Sequence, residues 1–418
     1  MSVLLYRLAI GLYHFGIRIA ALFNAKAASW VQGRKNWLEK LQAWRQSVPA
    51  DAKVLWMHCA SLGEFEQGRS VLEQLRKDHP DLQLVLSFYS PSGYEQRKDY
   101  PVANYVCYLP HDGPSRARQW LDELRPNTIV FVKYEFWYFH LQAAFQRHIP
   151  TYLIAAVFRP DQLFFQWYGK AFRKLLSNFT HLYVQTTNDA NLLNAHDITN
   201  TTGVGDPRVD QVIALAESEA AFPVVEAFGN GHKVLIAGST WPPGEKILFA
   251  KPELWEQDWK LLIAPHDISE GHVKQIVKDC PLPYVRYSAK PSNDELQQAR
   301  VLILDTIGML SRVYRCGDLA YIGGGFGRSI HNTLEPAAHG LPIIFGPKHE
   351  KFFEAVQLKE QGGAFVIKNE VDFQQVFQQM QDPENRKRAV KQVMNYLADN
   401  RGAASSIANA LGEGFQRE

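Results

Sequence analysis

The fold can be read outward from residues 54–68, "VLWMHCASLGEFEQG". The apolar run "VLWMH" (54–58) is typical of a strand that is buried on both faces of a parallel sheet. A helical pattern begins near Glu64, so a carboxylate lies where a strand ends and a helix begins. In open α/β sheets, ligands bind at the carboxyl ends of the strands. The stretch therefore predicts a strand–loop–helix unit that places Glu64 at a binding edge.

The same alternation of short apolar runs and longer helical patterns continues along the chain. Six runs in the first half predict strands, at 53–58, 82–90, 104–110, 127–135, 151–158 and 181–186. Six more follow in the second half, at 232–240, 259–266, 283–288, 301–306, 319–325 and 342–347. Two such sets, separated by a helical interval near 205–230, predict an α/β protein with two doubly wound, Rossmann-like domains facing a cleft.

Composition fits this architecture and excludes some function classes. The chain has 418 residues, 46% of them hydrophobic and 21% charged, as in a globular protein of two domains. A net charge of +2 gives no global sign of nucleic-acid binding. The four cysteines are scattered without a CxxC pair, which argues against a zinc site or a disulfide framework and indicates a reducing compartment.

The N-terminus differs from the rest of the chain. Residues 3–23 are apolar and about as long as a membrane span, but Arg7, His14 and Arg18 interrupt them. On a helix these three side chains fall within roughly 40° of one another. Because centring two arginines in a bilayer is costly, one polar stripe favours a monotopic helix in the membrane interface over a true span. The alternative is a helix packed on the protein's own core.

The predicted domain ranges follow from these patterns. Residues 1–40 form an amphipathic, membrane-associated segment, 41–210 an N-terminal domain and 211–418 a C-terminal domain. The first fifty residues hold seven Lys or Arg and one acid, and we expect Lys26, Arg34 and Lys35 to meet anionic headgroups.

Two carboxylates are candidates for chemistry in the first half. Glu64 could simply cap its helix, since acids are favoured in a first turn, and for Glu66 we prefer that interpretation. Glu135 lies among aromatic residues in "KYEFWYFH" (133–140), where a carboxylate is costly unless it is paired or used.

Glycine-rich and polar loops are the candidates in the second half. "YIGGGFGRSIHNTLEPAAHGLPIIFG" (321–346) leaves backbone amides bare after a strand and before a helix, a pattern that can bind phosphate. A carboxylate such as Glu335 could accept hydrogen bonds from ribose hydroxyls. "AGSTWPPGE" (237–245) offers amides and hydroxyls at a second strand end. A tight turn would also explain either loop, and the chain has no DxD motif for a metal-held sugar nucleotide.

The order "SLGE", "YEFW", "GST.PGE" and "HNTLEPAAHGLPIIFGP" resembles the 3-deoxy-D-manno-octulosonic acid (Kdo) transferases of lipopolysaccharide synthesis. The resemblance covers almost the whole chain and implies the GT-B fold. It implies transfer of Kdo from CMP-Kdo to a lipid A precursor at the cytoplasmic face of the inner membrane. It also implies inversion at the anomeric centre without a required metal or other cofactor, and membrane lipids rather than nucleic acid as partners.

The resemblance also implies roles for individual residues. Glu64 matches the proposed general base, and Glu135 matches a second active-site acid that holds the acceptor or orients Glu64. Acceptor contacts fall on Ser61, Gly63 and Glu135. Donor contacts fall on Arg208, Ser239, Thr240, His266, Gly324, Gly325, His331, Asn332 and Glu335, with Glu335 on the ribose.

The chain departs from the family pattern at three places, the first being Arg208, where the family usually has a lysine. It reads Pro265-His266-Asp267 where the family typically has Pro-Arg-His, and it has Met309 where an acid is common. Two other functions stay open. One is another GT-B enzyme that uses a UDP-sugar, either a transferase or an epimerase, and the other is a non-catalytic scaffold that binds nucleotide sugars.

Overall fold

The computed structural model describes residues 3–218, 221–256 and 258–416. The chain divides into two compact units. Unit 1 consists of Met1–Asp210 and Asn400–Glu418, and unit 2 consists of Gln211–Asp399.

Unit 1 is built on a seven-stranded sheet in which all strand pairs are parallel. Its strands are β1 (Val54–Cys59), β2 (Gln83–Phe88), β3 (Tyr105–Tyr108), β4 (Thr128–Val132), β5 (Thr151–Ala156), β6 (His181–Val184) and β7 (Thr201–Gly203). The spatial order is β3-β2-β1-β4-β5-β6-β7, the doubly wound order. The order therefore reverses between β1 and β4, and the loops that follow these two strands flank the switch point.

The helices of unit 1 connect these strands and precede them. They are α1 (Val3–Ala20), α2 (Ala25–Gly33), α3 (Trp37–Gln46), α4 (Leu62–Asp78), α5 (Pro91–Arg97), α6 (Pro114–Leu124), α7 (Tyr138–Gln146), α8 (Lys170–Leu176) and α9 (Thr187–Asn194), with short 3₁₀ turns at Leu163–Phe165 and Trp167–Gly169. The helix α10 (Pro207–Glu217) runs across the division into unit 2.

Successive side chains of a strand point to opposite faces of the sheet, and in unit 1 both faces are covered by helices. On one face Trp56 and Phe131 pack with Trp120 of α6. On the other face Leu55 and Met57 pack with residues of α4 and of a C-terminal helix. The near-continuous apolar runs of the sequence are explained by this double burial.

That C-terminal helix, α20 (Ala403–Gln416), belongs to unit 1 and packs on α4. Asp210 fixes its start, because the carboxylate accepts hydrogen bonds from the amides of Gly402 (2.6 Å) and Ala404 (2.7 Å). The side chains of Ile407 and Leu411 then fill the second face of the sheet. The predicted range 211–418 for the second domain therefore differs from the structure, since the last residues return to the first unit.

Unit 2 has a second sheet of seven parallel strands. They are β8 (Lys233–Thr240), β9 (Trp259–Pro265), β10 (Tyr284–Arg286), β11 (Val301–Ile303), β12 (Leu319–Ile322), β13 (Ile343–Phe345) and β14 (Ala364–Val366). The order is β10-β11-β9-β8-β12-β13-β14, so the switch point lies between β8 and β12. The loops after these two strands carry the polar and glycine-rich motifs.

The helices of unit 2 are α11 (Pro223–Gly229), α12 (Pro242–Phe249), α13 (Glu270–Asp279), α14 (Asn293–Gln298), α15 (Leu310–Val313), α16 (Leu334–Ala338), α17 (Phe353–Gln361), α18 (Glu370–Gln381) and α19 (Pro383–Asn400). Three 3₁₀ turns lie at Pro252–Trp255, Tyr287–Ala289 and Tyr314–Cys316. A core around Trp255, Trp259 and Phe377 packs against the sheet.

The N-terminal helix α1 exposes most of its apolar surface. Leu4, Leu8, Leu12 and Phe15 are all more than half exposed, and His14 is the buried residue of the helix. By length and composition α1 is the candidate membrane helix among the described residues. The structure therefore has one apolar N-terminal helix, as the sequence predicted.

Arg34 does not have the role expected for it. It is 6% exposed, and its guanidinium donates to the carbonyl oxygens of Trp30, Tyr89 and Leu109 while lying over the Trp30 ring. The prediction that Arg34 meets lipid headgroups is therefore wrong, because the side chain is used inside unit 1.

Candidate active site

Glu64 lies in the first turn of α4, directly after β1. Its carboxylate accepts a hydrogen bond from the amide of Ala60 at 2.5 Å, so part of its role is that of a helix-capping acid. A Cβ at Gly63 would meet nothing within 4 Å. The absence of a side chain at this position therefore leaves open space next to Glu64, where an acceptor sugar could approach. Ser61, the N-cap residue, makes no side-chain capping bond.

Glu135 follows β4 and is 9% exposed. Its Oε2 accepts from the Nε1–H of Trp137 at 2.5 Å and lies 3.2 Å from Nε2 of His58. The loops that carry Glu64 and Glu135 thus flank the switch point of the first sheet. The structure brings the two predicted catalytic carboxylates to the same edge, in electrostatic contact.

Burial raises the pKa of both carboxyl groups above the usual range. For Glu64 the negative charge of Glu135 raises the pKa further, while the hydrogen bond from Ala60 and the charge of Lys133 lower it. For Glu135 burial is the main cause, and the hydrogen bond from Trp137 opposes it. Carboxyl groups with pKa values shifted toward neutrality are suited to proton transfer.

A series of buried hydrogen bonds leads from Trp56 through Ser87 and His58 to Glu135. The Nε1–H of Trp56 donates to Ser87 Oγ at 2.7 Å, and Ser87 Oγ lies 2.8 Å from Nδ1 of His58. Burial lowers the pKa of His58 well below its usual value, so the imidazole is neutral. Its Nε2 also lies 3.0 Å from the Nε1–H of Trp137, so His58, Trp137 and Glu135 form one hydrogen-bonded cluster. His58 therefore acts on the site through Glu135.

His58 and Lys133 were missed in the sequence. His58 lies inside an apolar run that already predicts a strand. Lys133 lies two residues before Glu135, whose carboxylate was the candidate in that stretch. Lys133 adopts a φ of 67°, which is unusual for a side-chain-bearing residue and marks a bend at the end of β4.

In unit 2, Ser239 and Thr240 end β8. Ser239 has a φ of 52°, so the chain turns sharply there. The hydroxyl of Thr240 is buried and donates to Glu245 at 2.7 Å, and Glu245 in turn lies 3.1 Å from His272 Nε2. The hydroxyl hydrogen of Thr240 is thus already engaged within the protein.

The glycine loop after β12 packs closely on this strand end. A Cβ at Gly323 would overlap the carbonyl group of Ser239, and one at Gly325 would lie 2.7 Å from Gly346 Cα. Gly324 has a φ of 88°. The amides of Gly324 and Gly325 donate to no acceptor within the described ranges, whereas that of Gly323 donates to Gly238. Tight packing therefore explains part of the glycine content, and two bare amides remain for an anion.

A cavity of about 610 Å³ opens beside this loop. Gly324 and His331 of the predicted donor residues line it, together with Trp241, Tyr321 and Arg328. The Tyr321 hydroxyl is buried and has no hydrogen-bond partner among the described residues. Arg328 is a cation at this cavity that the sequence analysis did not single out, although it lies within the glycine-rich motif.

His266 stacks against two aromatic neighbours. Its ring centroid lies 4.8 Å from that of Trp241 and 4.4 Å from that of His331. The Nε1–H of Trp241 donates to His331 Nε2 at 3.0 Å. Burial, together with the nearby His266, lowers the pKa of His331.

Asn332 and Glu335 stand at the start of the short helix α16. The Nδ2 of Asn332 donates to Glu335 at 3.0 Å, and its Oδ1 accepts from the amide of Leu334. Burial raises the pKa of Glu335, while the bond from Asn332 lowers it. The carboxylate is thus held in place, as a ribose-binding acid has to be.

Arg208, which was expected among the donor residues, belongs to unit 1. Its guanidinium forms a paired contact with the buried carboxylate of Asp206, at 2.6 Å from Nη2 and 3.1 Å from Nε. Its charge is therefore compensated. Within the described parts of the chain, no group of three or more His, Cys, Asp or Glu could hold a metal ion. The expectation that no metal is required stays a prediction.

Comparison with known proteins confirms the resemblance. Residues 35–211 match the family described as 3-Deoxy-D-manno-octulosonic-acid transferase (kdotransferase). The chain is 26% identical to the 3-deoxy-D-manno-octulosonic acid transferase of Aquifex aeolicus over 340 residues, which is 78% of this chain and 86% of that protein. It is 26% identical to the transferase of the same name from Bordetella pertussis over 387 residues, 88% of each chain.

The fold is also found among solved structures. The UDP-GlcNAc 2-epimerase from Neisseria meningitidis bound to UDP-GlcNAc matches with a TM-score of 0.58 at 16% identity, over 86% of this chain and 100% of that one. At this identity the likeness shows the fold alone. The predicted GT-B fold of two Rossmann-like domains is thereby confirmed.

Proposed function

Since residues 35–211 carry a Kdo-transferase domain, we propose that this protein transfers Kdo from CMP-Kdo to a lipid A precursor with inversion of the anomeric centre. The observation that carries the proposal is the pair of carboxyl groups with raised pKa values, the half-buried Glu64 and the buried Glu135, at the switch point of the first sheet. A non-catalytic scaffold has no need for two carboxyl groups with raised pKa values that influence each other electrostatically.

Glu64 acts as the general base. It takes the proton of an acceptor hydroxyl while that oxygen forms a bond to the anomeric carbon of Kdo, and the bond from that carbon to the CMP phosphate oxygen breaks. The electron pair leaves with CMP. One base and one displacement account for inversion without a covalent sugar–enzyme intermediate.

Glu135 orients this base and raises its pKa. Its own orientation is fixed by Trp137 and His58. Because the charge of Glu135 makes the proton more stable on Glu64, it makes the base stronger once it is ionised. Ser61 and Gly63 lie beside Glu64 and receive the acceptor.

Residues of unit 2 bind the donor. The bare amides of Gly324 and Gly325 and the guanidinium of Arg328 are suited to the CMP phosphate and the Kdo carboxylate. Glu335, held by Asn332, accepts from the ribose hydroxyls. No step of this scheme uses a metal ion.

The acceptor reaches the protein from the cytoplasmic face of the inner membrane. The exposed apolar side of α1 supports a monotopic attachment, with the lipid chains of the acceptor remaining in the bilayer.

A substrate panel tests the function. The purified full chain is incubated with a lipid A precursor and with CMP-Kdo, UDP-GlcNAc or another UDP-sugar, and both nucleotide release and product mass are measured. We expect a Kdo-bearing product and CMP from CMP-Kdo alone, and none with the Glu64→Gln variant. Epimerisation of UDP-GlcNAc, or product formation from a UDP-sugar, would overturn the proposal.

A further inference from the structure

Two adjoining cavities in unit 1 lie beside α1. None of the residues given a catalytic role lines either of them. The first has a volume of about 480 Å³ and is lined by Arg7, His14 and Asp112, among others. The second has a volume of about 280 Å³ and is lined by Arg18, Trp30, Lys35 and the inward-bonded Arg34, among others. His111 and Arg116 line both, and we call the two cavities together the basic pocket.

The cations of the basic pocket are not neutralised by the protein. Within the described residues Arg7, Arg18, Lys35 and Arg116 form no ion pair. The carboxylate of Asp112 is buried and already accepts from the hydroxyl of Tyr6 and from the backbone amides of Phe139 and His140. Four uncompensated positive charges around one space favour an anionic occupant.

Polar ring nitrogens in the walls also lack partners. Nε2 of His14, Nε1 of Trp30 and Nδ1 of His111 have no hydrogen-bond partner in the described parts of the chain. His14 is 9% exposed and Trp30 is 4% exposed, so water cannot easily satisfy them. Leaving a buried donor unpaired is costly, and such groups call for a bound molecule or an ordered water.

The charge of the basic pocket comes from its arginines and lysine, because its histidines are neutral. Burial, with Arg34 and Arg116, lowers the pKa of His14 to about 4. Burial, with His14 and Arg34, lowers the pKa of His111 to about 3. Burial is the main cause of both shifts and nearby positive charges add to it, while the carboxylate of Asp112 partly offsets their effect on His14.

The start of α6 adds to this potential. Gly113 precedes the helix and provides no side-chain cap, so the first amides of this 11-residue helix are left for another acceptor. Arg116 lies in the first turn, and its side chain and the helix N-terminus therefore favour the same anion.

The surface of α1 next to the basic pocket indicates which class of anion binds there. On α1 the residues that line the basic pocket, Arg7, Gly11 and His14, form one stripe, and the exposed Leu4, Leu8 and Phe15 lie on the adjoining side of the helix. An anion attached to acyl chains would place its charge in the pocket and its chains along the apolar side. We propose that the basic pocket binds the phosphate ester of a membrane lipid.

The test measures binding of the full chain to phosphatidylcholine vesicles with and without phosphatidylglycerol, at fixed ionic strength. Arg116→Gln should weaken binding to the anionic vesicles about fivefold, the effect of one cation near a lipid surface. Arg118→Gln is the matched control, because Arg118 lies on the same helix, is exposed and donates to Pro114. It should bind like the wild type.

Equal losses for the two variants would mean diffuse attraction and would overturn the proposal, as would no loss for Arg116→Gln. A second variant, Trp30→Phe, removes the unpaired N–H and keeps an aromatic ring, and it should also weaken binding to anionic vesicles. If soluble glycerol phosphate instead binds the full chain as tightly as the vesicles do, the ligand is a free phosphate ester and the lipid assignment is wrong. No sugar donor is present, so the outcome is independent of the proposed transfer reaction.

Discussion

At the scale of single residues, the environment gives two glutamates different tasks. Glu64 stands in a first helical turn with open space above Gly63, whereas Glu135 is enclosed by Trp137 and His58. The more accessible carboxylate can reach a substrate, and the enclosed one can only act through its charge and its hydrogen bonds.

Glu64→Gln should leave the fold and CMP binding intact and reduce kcat by about 100- to 10,000-fold, the usual range for a general base. Steady-state kinetics and calorimetry with CMP measure the two effects. Glu66→Gln is the matched control, since Glu66 lies on the same helix but pairs with Arg69 and Arg97. Turnover close to that of the wild type in Glu64→Gln would remove this residue from the mechanism.

Glu135→Gln should move the acid limb of the pH–rate profile to lower pH. The negative charge of Glu135 raises the pKa of Glu64, so a neutral glutamine lets Glu64 lose its proton at a lower pH. The limb of the wild type should lie well above about 4.3, the ordinary pKa of a glutamate. The profile of kcat against pH decides this, and a limb that stays in place or moves upward would contradict the coupling.

Arg328→Gln should raise the KM for CMP-Kdo by about tenfold or more, since a cation that pairs with an anionic group of the donor is lost. The KM for the acceptor should change little. Arg388→Gln, at an exposed arginine of the same unit, is the control. Equal effects on both KM values would assign Arg328 a structural role instead.

At the scale of elements, strand ends decide where chemistry can occur. Each sheet reverses its order next to its first strand, and the loops after β1 and β4 and after β8 and β12 carry the predicted residues. In the second sheet the close approach of loop and strand requires glycine at particular positions.

Gly325→Ala should lower the free energy of unfolding by about 1–3 kcal/mol, because the new methyl group would overlap the backbone of Gly346. The displaced loop should also bind CMP more weakly. Gly327→Ala is the control, since its Cβ would come no closer than 3.4 Å to a neighbour. Thermal unfolding and calorimetry measure both effects, and similar results for the two variants would contradict the packing argument.

The sequence predicted twelve of these fourteen strands, together with the edges that carry Glu64, Glu135 and the glycine loop. It missed β7, because Thr201–Gly203 is not an apolar run, and it also missed β14. Arg34 and His58 show a further limit, since a polar side chain that is satisfied by distant backbone or side chains has no local signature.

At the scale of the whole molecule, attachment to a membrane depends on one helix. The exposed side chains of α1 would each contribute about 1.5–3 kcal/mol if they were fully buried in an apolar phase. This part of the attraction does not depend on salt, whereas the attraction of Lys26 and Lys35 to headgroups does.

Replacing Leu8, Leu12 and Phe15 together with glutamine should therefore weaken binding to vesicles by about 1,000-fold or more, at high salt as at low salt. Turnover on a detergent-dispersed acceptor should be largely unchanged, because these side chains do not contact the active site. Liposome flotation and kinetics are the measurements. A variant that floats like the wild type would show that another surface holds the membrane.

The return of α20 to unit 1 makes the whole of unit 2 an insertion between two parts of unit 1. During synthesis the sheet of unit 1 leaves the ribosome first, yet the face that Ile407 and Leu411 cover stays bare until the last residues emerge. Unit 2, whose segments are contiguous, can complete its fold earlier. A premature stop just before α20 would therefore expose the oldest part of the nascent chain to aggregation and proteolysis, while the younger part is already folded.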